Sequence, residues 1–250
     1  ARDRWQDPRA YHRLRDIDRA GLMWEWLRRD HDYVEWYTRA SAATRATGEP
    51  VRWGLHFAED PDRPAPEARV IWSAALDPAI LPVAIISDRG PQQDRVVLGD
   101  LAPWLTIAIG PTGREHVLFS DGWHHIRLDI AEGHLAGRDT ARFQYRFDGL
   151  TSAEKLILPL RRFLALCRHR HFPSALFPHD PRIARGIDML RVHDALVQGA
   201  SQREIATALF GTRRVTDEWG GVSDSLRSRV RRLVSDARAM AQGGYRSLLR

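Results

Sequence analysis

The chain has very little cysteine and almost no lysine. Cys167 is the only cysteine among 250 residues, which excludes an internal disulfide bond and fits a reducing compartment. Lys155 is the only lysine, so the positive charge comes almost entirely from arginine. No apolar run approaches the roughly 18–20 residues of a membrane span, and the polar N-terminus has no signal-peptide core. We therefore expect a cytoplasmic protein with no membrane partner.

The formal charge of +6 is concentrated at one end of the chain. Residues 181–250 contain 13 arginines against 7 acidic residues, a net charge of +6. Residues 1–180 contain 25 basic and 25 acidic residues, so their net charge is zero. A localised basic surface is what neutralisation of nucleic-acid phosphates requires. The distribution therefore points to the C-terminal segment as the part that binds an anionic polymer.

Hydrophobic periodicity divides the chain into helical ends and a strand-rich middle. Residues 1–48 have helical spacing and hold four of the nine tryptophans, which we expect to form a small core rather than a surface for a partner. Residues 49–150 form the predicted β-rich middle domain. Its seven short β-branched or aromatic runs begin at Arg69, Pro82, Arg95, Thr106, His116, His125 and Arg142. The predicted class is α+β, with a small antiparallel sheet or barrel in the middle.

The C-terminal part is predicted to be all-helical. Residues 151–180 read as a connecting helix followed by a proline-rich loop, and residues 181–250 as a helix-turn-helix variant. Ser201 and Glu204 match a capping box at the start of a short helix that Gly211 ends. A polar loop is predicted to follow, with a second motif helix starting at Ser223 or Asp224.

The second motif helix is predicted to have one apolar and one basic face. Leu226, Val230 and Leu233 form the apolar stripe. In a helix-turn-helix this helix enters the major groove, where arginine pairs with guanine and serine with a base or a phosphate. The candidate DNA-binding residues are Ser201, Gln202, Arg203, Arg213, Arg214, Ser223, Ser225, Arg227, Ser228, Arg229, Arg231 and Arg232. Of these, Ser225, Ser228, Arg229 and Arg232 are expected to face base edges, with Arg227 and Arg231 nearer the backbone. The alternative is a basic helix that is merely solvated.

Metal and catalytic sites have weaker support in the sequence. Cys167, His169, His171 and His179 offer thiol and imidazole groups, but their spacing matches no closed four-ligand zinc motif. The strands carry further polar groups that could build a site, namely His116, Asp121, His124, His125 and His134. No nucleophile elbow, HExxH motif or phosphate-binding glycine loop accompanies them. We therefore expect no enzyme, no metal and no cofactor, and a metal-dependent sensor stays an alternative.

Two stretches resemble a known family of regulators. The C-terminal one contains Gly199–Ala206, Leu209–Gly211, Trp219, Leu226–Leu233 and Gly243–Arg246. It resembles the DNA-binding domain of RovC-type transcriptional regulators, a family that includes FseA-like activators and QseM-like antiactivators of integrative and conjugative elements. The N-terminal stretch, from Trp5 to Tyr33, resembles the small domain that accompanies it.

The resemblance implies a proteobacterial transcriptional regulator, usually an activator, that binds double-stranded promoter DNA. It further implies type VI secretion or mobile-element genes as targets and a higher-order homo-oligomer such as a hexamer. RNA polymerase or an antiactivator protein would be additional partners. One departure is the long segment between the two motif helices, which we expect to be a loop with Trp219 packed onto the core and Arg213 or Arg214 at a phosphate. The alternative function is an antiactivator that binds another regulator through its N-terminal tryptophans.

Overall fold

The computed structural model describes residues 5–46, 49–87, 89–220 and 225–249. Its N-terminal part is helical, as predicted. A 3-10 helix (Pro8–Leu14) is followed by α1 (Arg19–Leu27), α2 (His31–Arg39), α3 (Ala42–Ala46) and a second 3-10 helix (Glu49–Trp53). Side-chain caps set the starts of α1 and α2, because Asp18 accepts a hydrogen bond from the Gly21 amide and Asp30 accepts two from the first turn of α2. The N-terminal sequence therefore folds through capped helices.

A six-stranded sheet forms the middle of the chain. Its strands are β1 (Leu81–Ile86), β2 (Val96–Val97), β3 (Leu105–Ile109), β4 (Glu115–Ser120), β5 (His125–Glu132) and β6 (Thr140–Tyr145), in the order β2-β6-β1-β5-β4-β3. This confirms the α+β class and six of the seven predicted runs. The first run, Arg69–Trp72, does not form a strand, since only an isolated bridge joins Trp72 to Leu55.

The sheet is antiparallel at every described pairing except one. β1 pairs with β5 in parallel, although β1 also pairs with β6 in antiparallel orientation. The prediction of a purely antiparallel sheet is thus wrong at this centre. The chain leaves β1, forms β2 to β4 and returns alongside β1 as β5, and such a crossover produces a parallel pair.

One long helix covers the sheet. Helix α4 (Leu150–His169) buries Leu156, Phe163 and Leu166 against sheet residues such as Val117 and Phe119. Together with the buried Pro159, these helix positions recur at three- and four-residue spacing, so they share one face. The sheet and α4 therefore enclose a hydrophobic core of their own.

The C-terminal part contains four further helices. They are α5 (Pro181–Val197), α6 (Gln202–Phe210), α7 (Thr212–Glu218) and α8 (Ser225–Ala241), and a 3-10 helix (Gly244–Ser247) ends the described chain. The expected loop between the motif helices is wrong at α7. Val215 is buried in this helix, and Trp219 packs half-buried against the core as predicted. Ser223 and Asp224, the predicted start of α8, lie outside the described residues.

The helices at the two ends of the chain share a second hydrophobic core. It joins aromatic residues of the N-terminal part, such as Trp24 and Tyr33, to Leu190 of α5 and Val230 of α8. Trp5, Trp24 and Trp26 are all buried, which confirms that these N-terminal tryptophans are core residues. The β-sheet part is therefore an insertion, in sequence, between two segments that fold against each other.

Polar contacts reinforce this shared core. Arg29, two residues after the end of α1, binds the carboxylate of Asp194 in α5 through two hydrogen bonds, of 2.8 and 3.0 Å. The hydroxyl of Tyr11 donates to the same carboxylate at 2.6 Å. Although burial opposes it, the carboxylates of Glu25 and Asp194 raise the pKa of Arg29. In the described part of the chain, no helix is both long and apolar enough to cross a bilayer.

Candidate nucleic-acid interface

Helices α5, α6, α7 and α8 form the unit that carries the basic residues. Ile187 and Leu190 of α5, Ile205 of α6 and Leu226 and Val230 of α8 are buried together. The predicted apolar stripe of α8 is confirmed, because Leu233 and Ala237 are buried as well. Burial of this stripe orients α8 and leaves its arginines on the outside.

The start of α6 is fixed by the predicted capping box. The Glu204 amide donates to the Ser201 hydroxyl at 3.3 Å, and the Glu204 carboxylate accepts from the Ser201 amide at 2.8 Å. The next two candidates, Gln202 and Arg203, are exposed in the first turn. Backbone amides at a helix N-terminus favour an anion, so this end could lie against a phosphate.

Helix α7 presents two of the candidate arginines. Arg213 and Arg214 are exposed, while Val215 faces the core. The Nε atom of Arg214 donates to Glu218 at 2.9 Å, one turn further along the same helix. Gly211, with φ of +86°, separates α6 from α7 by a single residue. The bend at Gly211 therefore places both arginines near the end of α6.

Helix α8 divides its exposed residues between two flanks of the buried stripe. At about 100° per residue, Ser225, Arg229 and Arg232 lie on one flank, and Arg227 and Arg231 lie on the other. All five are exposed, and Ser228, which is half-buried, accepts a hydrogen bond from Arg231 at 3.0 Å. The proposed base-reading and phosphate-contacting arginines thus occupy different sides of the helix.

A cation–π contact links α8 to α6. The guanidinium carbon of Arg229 lies 4.8 Å from the ring centroid of Phe210, the last residue of α6, and that of Arg214 lies 5.8 Å from the same ring. Phe210 therefore gathers one arginine from α7 and one from α8. Sequence reasoning did not select Phe210, and its only signal was an aromatic residue just before Gly211 in a basic region.

Acidic residues hold the α5 side of α8. Arg185 of α5 pairs with Asp236 of α8 at 2.5 Å. Asp188 of α5 faces Arg191 and Arg229, but burial is the largest influence and raises the pKa of its carboxyl group. The Arg185–Asp236 pair therefore joins α5 to α8, and Asp188 lies near Arg229, one of the candidate base-reading arginines.

Of the twelve candidate DNA-binding residues, the structure describes eleven on one helical unit, and Ser223 lies outside the described residues. Ten of the eleven are exposed. A surface arginine cluster of this kind suits phosphate contact and guanine pairing, and it contains no buried nucleophile or acid–base pair.

The histidines of the middle part pair with carboxylates. Nδ1 of His125 lies 3.0 Å from both carboxylate oxygens of Asp18, and Nδ1 of His124 lies 2.9 Å from Asp121. His134 is exposed and lies 3.4 Å from Glu115. These predicted site residues are therefore engaged in local or interdomain ion pairs rather than gathered around one centre.

His56, His116 and Asp129 are the one group of described residues whose ligand-type atoms come within 4.8 Å of one another. Nδ1 of His116 lies 2.8 Å from Asp129, and the rings of His56 and His116 stack with centroids 3.7 Å apart. Arg127 donates to the same Asp129 oxygen at 3.0 Å. The planes of the two rings are inclined by 23°, and Nε2 of His56 is buried without a hydrogen-bond partner among the described residues. Arg127 already supplies a positive charge to the carboxylate of this group.

The cysteine alternative for a metal site has no support in the local geometry. Cys167 is half-buried against the sheet core, and burial raises the pKa of its thiol to about 12. His169 and His171 are exposed at the end of α4, with ring centroids 5.9 Å apart. Among the described residues, the ligand atoms of Cys167, His169 and His171 do not all come within 4.8 Å of one another.

Comparison with protein families assigns both ends of the chain. The RovC DNA-binding domain model, described as "T6SS, Transcription factor, DNA binding domain", matches residues 151–250. A second model, described as "Proteobacterial transcriptional regulator-like domain", matches residues 4–58. Comparison with curated proteins returned no match. The first match begins at the start of α4, so the family domain includes the helix on the sheet as well as α5 to α8.

Proposed function

Because this chain is a RovC-type transcriptional regulator with a DNA-binding domain, we propose that it binds promoter DNA sequence-specifically and places α8 in the major groove. The observation that carries the proposal is the arginine-rich outer face of α8, oriented by its buried stripe of Leu226, Val230 and Leu233. This helix lies in the segment with all of the chain's excess charge, and it exposes Arg227, Arg229, Arg231, Arg232 and Arg238. The proposed regulatory effect is activation of type VI secretion or mobile-element genes.

The contacts are proposed to differ between the two flanks of α8. Base edges would be read by Ser225, Ser228, Arg229 and Arg232. Either the ring of Phe210 holds the guanidinium of Arg229 in a fixed direction, or Arg229 leaves this ring when it contacts a base. Phosphates would be contacted by Arg227 and Arg231 of α8 and, around α6 and α7, by Ser201, Gln202, Arg203, Arg213 and Arg214. Ser223, which lies outside the described residues, is proposed to contact DNA as well. Phosphate contacts set the register of the protein, and base contacts supply the sequence preference.

The test is selection of bound fragments from sheared genomic DNA by the purified chain at two salt concentrations. We expect enriched, salt-resistant fragments that share a half-site. On one such fragment, Arg229→Ala and Arg232→Ala should each weaken binding by about 1–3 kcal/mol and relax the preference at one position. Arg227→Ala and Arg231→Ala should weaken all sequences alike and reduce the salt slope by about one.

Arg13→Ala is the matched control, because Arg13 is an exposed arginine of the N-terminal part that pairs with Glu67. It should leave DNA affinity unchanged. If Arg229→Ala and Arg232→Ala bind the selected fragment as well as the wild-type chain, the major-groove assignment of α8 is wrong. Weak binding to all fragments that vanishes with salt would favour the antiactivator function instead, and a protein partner would then be sought. A promoter–reporter assay distinguishes activation from repression.

We further propose that the chain acts as a homo-oligomer, because one helix-turn-helix reads only a half-site. Helix α4 supplies a surface for a second copy. Leu150, Ile157 and Leu164 are 90%, 54% and 40% exposed and recur every seven residues on its outer face. Glu154 and Arg161 lie beside this stripe, so an antiparallel pair of α4 helices would place opposite charges together.

Such a contact is two-fold, and a hexamer would need a further interface between pairs. An activator of this type would also contact RNA polymerase. Both partners, RNA polymerase and an antiactivator protein, stay proposals that a pull-down with the DNA-bound chain would test.

A further inference from the structure

A cavity of about 800 Å³ lies where the sheet, the N-terminal helices and the C-terminal helices meet. Its walls come from the start of α1, the start of β5, one side of α4 and the segment that leads into α5. The last described residues, Leu248 and Leu249, also line it. This volume lies within the range of small-molecule sites in proteins, which are roughly 300–1,000 Å³.

One part of the wall is apolar. It consists of Leu158 and Pro159 of α4, Phe177 and Pro178 of the connecting segment, Ile183 of α5, and the terminal leucines. Leu158 is 42% exposed, so an apolar side chain of α4 is left open on this side. Apolar walls with a few convergent polar groups are typical of sites for small organic ligands.

Most charged groups of the cavity are already paired. The carboxylate of Asp18 accepts hydrogen bonds from the amides of Gly21 and His125 and contacts the ring of His125. Arg19 binds Asp180 at 2.6 Å. Within each pair the opposite charges compensate each other, so these groups leave little net charge with which to bind a ligand.

Asp77 and Arg162 differ from these pairs. Asp77 is buried and accepts a hydrogen bond from the Ala79 amide at 2.9 Å, and burial raises the pKa of its carboxyl group, which favours the neutral form. Arg15 and Asp16 also line the cavity, but both side chains are exposed to solvent. Among the described lining residues, Arg162 is therefore the cation that is shielded from solvent without a carboxylate partner.

Arg162 is half-buried and has no ion pair with any carboxylate of the described residues. Its Nε atom donates to the carbonyl oxygen of Leu176 at 2.8 Å, and its guanidinium carbon lies 4.3 Å from the ring centroid of Phe177. Burial lowers the pKa of Arg162, although Asp18 opposes this from a distance. Buried charges in proteins are usually paired, so a half-buried arginine that is held in place without a carboxylate partner can accept an anionic ligand.

We propose that this cavity binds a small organic carboxylate with an apolar body, whose carboxylate pairs with the guanidinium of Arg162. The Nε bond to Leu176 and the ring of Phe177 hold the guanidinium plane, and neither terminal nitrogen has a hydrogen-bond partner among the described residues. A planar fork of two N–H groups matches a carboxylate bidentately. The apolar body of the ligand lies against Leu158, Phe177 and Ile183.

A ligand in the cavity would lie directly against the first of the DNA-binding helices, α5. Asp180, whose side chain caps α5, and Ile183 in its first turn both line the cavity. A ligand there changes the contacts at the start of α5, and α5 packs along α8. We therefore expect the ligand to change DNA affinity. This expectation rests on the proposed function, whereas the binding of the ligand to the cavity is independent of that function.

The test compares octanoate with octanamide, which has the same length and no charge. Binding to the full chain is measured by isothermal titration calorimetry and by the shift of the thermal unfolding midpoint. We expect saturable one-to-one binding of octanoate in the micromolar to millimolar range and at least about tenfold weaker binding of octanamide. 2-Naphthoate and 2-naphthamide form a second pair with a rigid apolar body.

The variants are Arg162→Gln and, as a matched control, Arg168→Gln, since Arg168 is an exposed arginine on the same helix that does not line the cavity. Arg162→Gln should weaken carboxylate binding at least about tenfold, and Arg168→Gln should leave it unchanged. Arg162→Lys keeps the charge and loses the fork, so we expect an intermediate affinity. If Arg162→Gln does not fold, Arg162→Lys tests the proposal in its place.

The proposal is overturned if neither carboxylate binds at about 10 mM, if acid and amide bind alike, or if Arg162→Gln and Arg162→Lys bind octanoate like the wild type. DNA affinity is then measured with and without octanoate on a fragment that the chain selects. An unchanged DNA affinity in the presence of bound octanoate overturns the regulatory link alone. Absence of DNA binding under all conditions counts against the proposed function and leaves the calorimetric result standing.

Discussion

Arg29 and Asp194 form a bidentate ion pair between residues that are 165 positions apart in the sequence. Their side chains are only 12% and 15% exposed. The Nε atom of Arg29 lies 2.8 Å from one carboxylate oxygen, and Nη2 lies 3.0 Å from the other. This pair joins the end of α1 to α5 and therefore connects the N-terminal helices to the DNA-binding unit.

Removal of one partner of this pair should destabilise the whole shared core. Asp194→Ala removes a carboxylate partner of the buried Arg29 and an acceptor of the Tyr11 hydroxyl. Breaking a buried pair in this way costs about 3–5 kcal/mol. We expect that loss in the free energy of unfolding, measured by urea denaturation with tryptophan fluorescence.

The control is Glu67→Ala, which breaks the pair with Arg13, whose side chains are 66% and 59% exposed. A solvent-exposed pair contributes about 0–1 kcal/mol, so this variant should unfold close to the wild type. Equal losses of unfolding free energy in the two variants would show that the Arg29–Asp194 pair does not stabilise the shared core.

The Asp18–His125 pair should make stability depend on pH above the ordinary range of histidine. Burial acts against the charged form of His125, but Asp18 and then Asp121 raise its pKa, while Arg69 opposes them. Burial likewise opposes the charged form of Asp18, and His125 and His124 lower its pKa. Because the pKa of His125 is raised, its contribution is complete below about pH 6.5 and is lost as the pH rises through the folded-state value.

We therefore expect the free energy of unfolding to fall as the pH rises above about 6.5, and Asp18→Asn to remove most of that fall. Below about pH 4 the contribution of Asp18 is lost in turn, as its carboxylate is protonated. Burial lowers the pKa values of His56 and His193, the former to about 4, so both titrate below the upper window. A wild-type profile that is flat across the window would contradict the prediction.

Gly122 at the turn between β4 and β5 should not tolerate a side chain. Its φ is +98°, and a Cβ atom there would lie 2.6 Å from the carbonyl oxygen of Pro66. Gly137 has φ of +76°, but a Cβ atom would meet nothing within 4 Å. We expect Gly122→Ala to cost at least about 2 kcal/mol and Gly137→Ala about 1 kcal/mol.

Thermal and urea unfolding of the two alanine variants would measure this difference. Gly137→Ala reports the strain of the left-handed backbone, and the excess in Gly122→Ala reports the contact with Pro66. Similar losses in both would mean that the turn moves away from Pro66 at little cost.

Charge on the outer stripe of α4 should reduce the size of the oligomer. Ile157→Glu puts a carboxylate at the centre of the proposed contact, where two copies meet. We expect a smaller species in analytical ultracentrifugation and weaker binding to a site with two half-sites, while binding to a single half-site is kept. Arg168→Glu, an exposed change at the end of α4, is the control, and an unchanged sedimentation coefficient for Ile157→Glu would exclude α4 as the interface.

The strands and the capped helices were predictable because their signals are local. Alternating residues at His125–Ile130 and a capping box at Ser201 each depend on neighbours a few positions away. Helix α7 gave no such signal, since Val215 is its only buried residue. A short helix with one inward side chain cannot show a period, and it reads as a loop.

The candidate interface was predictable in composition but not in arrangement. The outward arginines of α8 follow from the apolar period of Leu226, Val230 and Leu233. The contact of Arg229 with Phe210 joins α8 to α6, and the segment between these two helices contains α7, which was not predicted. Its geometry therefore depended on where α7 turned the chain.

By itself, the sequence determined the α+β class, the basic C-terminal segment, the helix caps and the two family resemblances. Each of these rests on composition or on interactions within one or two turns. Only the tertiary structure decided that β1 pairs in parallel with β5, that the two ends of the chain share one core, and that Arg162 faces a cavity without a counterion. These features arise from contacts between residues far apart in sequence, and the packing of whole helices and strands selects which of the many possible contacts form.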